Sequence, residues 1–173
     1  MEEQPSTARL ALKWGVISGV ISMVYTTALY ISGQFTNTAL TWLSLVISVV
    51  LIVMAMREYR SLNNGFMSYG EGLSLGTLLT VIGALIATTY NFIYTTFIDT
   101  TIRQQVLDQA RANMEDQGMS DEQVEQAIEL AQRLQSPGLQ FLFGILVSAF
   151  FGLLISLVVA AFLRRNKPFG ELS

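Results

Sequence analysis

The sequence predicts an all-α membrane protein with four transmembrane helices and an extracytoplasmic amphipathic helical hairpin between helices three and four. Three observations predict it. The 173-residue chain is 51% hydrophobic and only 13% charged, whereas a soluble domain carries about 25% charged residues. The apolar residues gather in four runs, each long enough to cross a hydrocarbon core about 30 Å thick, which takes roughly 20 helical residues. Between the third and fourth runs, from Asp99 to Ser136, the chain turns polar. The length suits one domain, residues 1–173, with the hairpin at 99–136 as an insert within it.

The first span is expected from about Ala11 to Gly33. It is too long for the apolar stretch of a secretory signal, and the preceding segment carries Glu2 and Glu3 rather than a basic start, so we read it as a retained helix. The second runs from about Leu40 to Met56. Its β-branched stretch from Val46 to Val53 would favour a strand in water. A lone strand in lipid leaves its backbone unsatisfied, so helix wins there. The third runs from about Gly72 to Phe97 and is expected to continue unbroken into the first hairpin helix. The fourth runs from about Leu139 to Leu163. No span carries Asp, Glu, Lys or Arg in its middle; Lys13 and Glu71 stand at ends, where a charged head reaches the interface.

Orientation follows from basic residues in short flanking segments. Arg9 and Lys13, Arg57 and Arg60, and Arg164, Arg165 and Lys167 all fall on one side of a four-span chain. That side holds seven basic against five acidic residues. The segment between spans three and four holds three basic against eight acidic, and the two sides together account for the net charge of −3. Both termini are therefore expected in the cytoplasm of a bacterial cell, with the chain as a multi-pass protein of the inner membrane. Trp14 and Tyr59 near the inner boundary, and Tyr30, Trp42, Tyr90 and Tyr94 toward the outer one, fit an aromatic belt.

In the insert, Ile102, Val106, Ala110 and Met114 recur every fourth position and form one helical stripe. Gly118 supplies a stop that favours a left-handed conformation. Ser120 with Gln123 forms a capping box, and Met119 with Val124 a hydrophobic staple. Asp121 and Glu122 fall in the first turn, where the helix dipole favours negative charge. Val124, Ala127, Ile128, Ala131 and Leu134 make the second apolar face, and Ser136-Pro137-Gly138 breaks the helix. The two faces should pack together or onto the bundle. The Gln- and Glu-rich polar faces read either as solvated surface or as a docking surface for a basic partner.

Small residues set the expected packing. Gly144, Ser148, Gly152, Ser156 and Ala160 stand four apart in the last span; Gly72, Gly76, Thr80, Ala84 and Thr88 do so in the third; the first has Gly15 and Gly19. Such ridges let membrane helices approach closely. Spans one, three and four should form the tight centre, with span two more exposed to lipid. The alternative is that one ridge is a homodimer surface.

Reactive chemistry is sparse. There is no Cys and no His, which removes thiol nucleophiles, thiolate metal sites and the usual general base. No carboxylate lies inside a span, as proton-coupled transporters usually require. Gly70-Glu71-Gly72 is too short for a phosphate loop, and basic residues are too scattered for nucleic acid. The polar candidates are Glu71, read as a first-turn acid, Asn91, read as an interhelical hydrogen-bonder, and Tyr90. No catalytic residue, metal site or cofactor is expected.

The layout resembles the bacterial membrane family catalogued as domain of unknown function 4199, typical of Bacteroidota. The resemblance rests on the Lys13-Trp14-Gly15 start, the Arg57-Glu58-Tyr59-Arg60 exit of span two and the Arg164-Arg165 end. The loop from Asn64 to Gly72 is its most specific piece. The family often carries Lys or Arg where Glu71 stands, and it implies an architecture without an activity. The leading functional expectation is a non-enzymatic accessory, scaffold or assembly subunit in the bilayer, as a homo-oligomer or within a larger membrane complex. The runner-up is a small oligomeric transporter or channel lined by Ser and Thr of spans one and three; a membrane enzyme subunit ranks third.

Overall fold

The computed structural model describes residues 5–134 and 136–166. Glu2, Glu3, Lys167 and Glu171, counted in the charge balance, and the side chain of Leu134 lie outside the described residues. Six α-helices follow one another: α1 (Thr7–Ile31), α2 (Thr38–Leu62), α3 (Tyr69–Ile93), α4 (Thr101–Asp116), α5 (Asp121–Leu134) and α6 (Pro137–Leu163). The described residues contain no strand. Four helices are long and apolar enough to cross a membrane: Thr7–Ile31, Thr38–Leu62, Tyr69–Ile98 and Gly138–Leu163.

Local chemistry starts each long helix. Ser6 Oγ accepts from Arg9 N at 3.3 Å and Asn37 Oδ1 from Ala39 N at 3.0 Å. Ser68 and Glu71 form a capping box at the start of α3, with Glu71 N donating to Ser68 Oγ at 3.3 Å and Ser68 N to Glu71 Oε2 at 2.6 Å. These bonds satisfy donors that the first turn leaves without a helical partner. Pro137 opens α6, where a missing N–H costs nothing.

The expected continuity of span three with the hairpin is overturned. After Ile93 the helix widens into a π turn over Tyr94–Ile98, and Asp99 is extended (φ −138°, ψ 96°). Asp99 Oδ1 then accepts from Thr101 N at 3.0 Å and from Thr101 Oγ1 at 2.6 Å, and α4 begins there. A short acceptor side chain that captures the next helix's free N–H competes with helix continuation.

α3 is the axis of the bundle. It packs along its length against α1 on one face and α6 on another. The main core lies in the half nearest the termini: Leu10, Ala11 and Trp14 of α1, Leu75 and Leu79 of α3, and Ala160 of α6 are buried there. Span two packs more sparsely than the other three, as expected, but unevenly along its length. Its C-terminal half contributes Leu51, Ile52, Ala55, Met56 and Tyr59 to this core, while Trp42, Leu43, Leu45 and Val46 toward its start are exposed.

α4 and α5 form a hairpin with its own small core: Leu107, Val124 and Ile128 are buried, with Ala110, Met114, Met119 and Ala131 packed on them. Gly118 (φ 78°) reverses the chain, with Gly118 N donating to Glu115 O at 2.9 Å and Met119 N to Met114 O at 3.2 Å. This pair of bonds satisfies the last carbonyls of α4. Val106 does not lie on the seam; it is 46% exposed, and Leu107 takes its place. A strict four-residue repeat drifts around a 3.6-residue helix, so the seam moves to Leu107, Ala110 and Met114.

Candidate functional site

The glycine and serine ridges all lie inside the bundle. On the α1 side of α3, a Cβ at Gly15 would stand 2.7 Å from Ile82 Cβ, and one at Gly19 2.7 Å from Ile86 Cβ. On the α6 side, a Cβ at Gly144 would stand 2.7 Å from Thr88 Cγ2, one at Gly76 2.9 Å from Ser156 Cβ, and one at Gly72 3.0 Å from Ala160 Cβ. Gly152 meets Thr80 more closely still. Ser148, between Gly144 and Gly152 on the same ridge, is half-buried. The two sets occupy different faces of α3, so the small residues bring α1 and α6 onto α3 rather than onto each other. Ser156 Oγ is buried and finds no hydrogen-bond partner among the described residues.

Polar side chains gather at the two ends. At the end that carries the termini, Lys13 Nζ pairs with Glu58 Oε1 at 2.7 Å, and Trp14 Nε1 donates to Glu58 Oε2 at 2.7 Å. Tyr59 OH donates to Glu71 Oε1 at 2.8 Å. Beyond α2, Arg60 Nε reaches Gly65 O at 3.3 Å and Asn63 Nδ2 reaches Phe66 O at 3.0 Å. Met67 pairs with Arg165 through two backbone bonds of 2.8 and 2.9 Å, and the Arg165 guanidinium lies 5.8 Å from the Phe66 ring centre. All four long helices are thus tied at this end. Sequence reasoning placed Glu58 in a motif without its partners. Its charged neighbours in sequence are Arg57 and Arg60, whereas its pairing runs to Lys13 and Trp14 on another helix.

At the hairpin end, Asn91 Nδ2 donates to Tyr30 OH at 2.5 Å, linking α3 to α1 as expected of Asn91. Thr27 and Tyr90 share a hydroxyl hydrogen bond, and the Tyr30 and Tyr94 rings stand 4.9 Å apart. Two clefts open here. One, of about 280 Å³, is lined by Thr26, Ala87, Thr88, Phe92, Phe141 and Gly144, with Asn91 and Gln140 at its edge. The other, of about 320 Å³, shares Asn91 and Gln140 and adds Tyr30, Thr95, Ile102 and Arg103. Arg103 was counted in the sequence only as hairpin charge. Its Nη2 donates to Thr96 Oγ1 at 2.7 Å, and its Nε is buried without a partner among the described residues. Thr26 also lines a third cleft of about 210 Å³ between α1 and α2, with Ser22, Tyr25, Ser44 and Ser48.

No group of three or more His, Cys, Asp or Glu side chains that could hold a metal occurs among the described residues. Over residues 13–165 the chain matches the family described as Protein of unknown function (DUF4199). No curated protein and no solved structure matches.

Proposed function

The chain belongs to the DUF4199 family of proteins of unknown function, and we propose that it is a non-enzymatic accessory or assembly subunit of a bacterial inner-membrane complex. In this reading both termini are cytoplasmic and the hairpin is extracytoplasmic. The observation that carries the proposal is the self-contained core of the hairpin. Leu107, Val124 and Ile128 close on one another, so the seam between α4 and α5 forms without the bundle, while Ile102 at the start of α4 is buried outside it. What they turn outward is a surface rich in Glu and Gln, with Val106 and Leu130 also exposed, joined to α3 through the π turn and Asp99. A surface of that charge suits a basic face on a neighbouring protein. The small-residue ridges are consumed within one copy, so a homo-oligomer would meet through larger side chains such as Phe143, Phe150 and Phe162 of α6, which are exposed.

A photo-crosslinking residue in place of Glu125, on the outer face of α5, tests this in intact cells. The proposal expects one discrete protein adduct there and none from the lipid-facing position Val158. Absence of an adduct from Glu125 and from neighbouring hairpin positions contradicts it.

The transporter reading has one observation in its favour: the hydroxyl-lined clefts on either side of Thr26. Against it, Thr80 and Ser156 fill helix contacts, and Ile52, Met56, Leu75 and Leu79 close the half nearest the termini. Solute flux through proteoliposomes above that of empty vesicles would favour it over the accessory role.

A further inference from the structure

Two clefts share Asn91 and Gln140 in their walls, and together they make a slot with two different ends. Its deeper end, between α3 and α6, is lined by Ala87, Phe92, Phe141 and Gly144 together with the side chains of Thr26 and Thr88, all within the apolar spans of α1, α3 and α6. Its other end holds Arg103, two residues into α4 and just beyond the apolar span that ends at Ile98. That is headgroup depth. We propose that this slot binds one phospholipid, with the phosphate on Arg103 and an acyl chain descending past Asn91 between α3 and α6.

Three features favour an anion at the upper end. First, Arg103 has donors in reserve. Among the described residues its hydrogen bond goes to Thr96, its Nε has no acceptor, and the ion pairs are Lys13–Glu58 and Glu129–Arg133, neither of which uses it. A guanidinium presents a planar fork suited to phosphate oxygens. Second, the slot is flanked by the starts of two helices: Ile102 and Arg103 belong to the first turn of α4, and Gln140 stands near the start of α6. Helix N-termini carry partial positive charge, although at α4 the Thr101 N–H is already taken by Asp99 Oδ1. Third, the nearest carboxylate in sequence, Asp99, is engaged by Thr101 and not by Arg103. The hairpin as a whole is acidic, which disfavours a freely diffusing anion and leaves a membrane-anchored phosphate, delivered at the right depth, as the favoured occupant. The lower end, where Phe92, Phe141 and Ala87 outweigh the hydroxyls of Thr26 and Thr88, fits the chain that such a phosphate carries.

Native mass spectrometry of the purified full-length chain in detergent tests the proposal, with palmitoyl-oleoyl phosphatidylglycerol as the probe. The expected result is one lipid retained per chain, with about tenfold weaker retention in Arg103→Gln. Gln140→Glu places a carboxylate at the edge of the slot on an exposed residue. It should weaken retention in the same sense, and it reads the site even where Arg103→Gln disturbs folding. Diacylglycerol with the same chains and inorganic phosphate alone should each fail to raise the melting temperature that phosphatidylglycerol raises. Unchanged lipid retention in both variants would overturn the proposal. So would equal stabilisation by diacylglycerol, which means an unselective apolar groove, or by inorganic phosphate, which means a soluble-anion site.

Discussion

The side chain of Thr80 on α3 sits directly on Gly152 of α6, leaving no room for a Cβ at residue 152. The Thr80 hydroxyl is not spent across the interface. It donates to Gly76 O at 2.8 Å within its own helix, while its Cβ, methyl and hydroxyl oxygen all stand against Gly152. Replacing Gly152 with Leu should therefore force α3 and α6 apart, at about 1–3 kcal/mol or more. Leu153→Ile, one residue on and facing outward, should cost less than about 1.5 kcal/mol. Melting in detergent checks this; equal melting of the two variants contradicts a close α3–α6 contact at this point.

Glu58 holds two partners of unequal worth. The Lys13 side chain is 53% exposed, and exposed ion pairs contribute about 0–1 kcal/mol. The Trp14 ring is buried, and leaving its N–H without an acceptor costs about 1–3 kcal/mol. We expect Glu58→Ala to destabilise more than Lys13→Ala. We also expect Trp14→Phe to erase most of that difference in a double-mutant cycle.

Glu71 joins the start of α3 to Tyr59 of α2. Tyr59→Phe removes the hydrogen bond to Glu71 and should cost about 1 kcal/mol. Glu71→Ala removes that bond and half of the capping box, so it should cost more. Glu71→Gln keeps a capping-box side chain at the same position and should fall between them. Chemical denaturation of the three variants gives the order.

The hairpin should be ordered without a partner. Ser120→Ala removes the cap and should cost about 1 kcal/mol locally. Gly118→Val forces a β-branched residue into a left-handed conformation and should cost more. Hydrogen exchange on the purified chain should show protected amides from Val124 to Ala131; rapid exchange throughout would mean that the hairpin core does not form alone.

Apolar runs, caps and glycine stops were legible because they are local. The Ser120–Gln123 box, the Gly118 reversal and the Asn91 link to another helix can each be read from residue type and near neighbours. The partners of Glu58 were not legible, because Lys13 and Trp14 stand about 45 residues away and meet it only once α1 and α2 pack. The break at Asp99 has a local signal: Asp99-Thr100-Thr101 offers a short acceptor ahead of a helix start. Arg103 looked like surface charge because nothing in the sequence says that the π turn and the start of α6 close a cleft around it.

A four-span chain places the hairpin across the membrane from the termini. Single cysteines at Ser120, between α4 and α5, and at Asn166, just after α6, test it most directly, since the chain has no other cysteine. A membrane-impermeant thiol reagent applied to intact spheroplasts should label Ser120→Cys and spare Asn166→Cys until the membrane is opened. Equal labelling of both in intact spheroplasts would contradict a four-span chain with an extracytoplasmic hairpin.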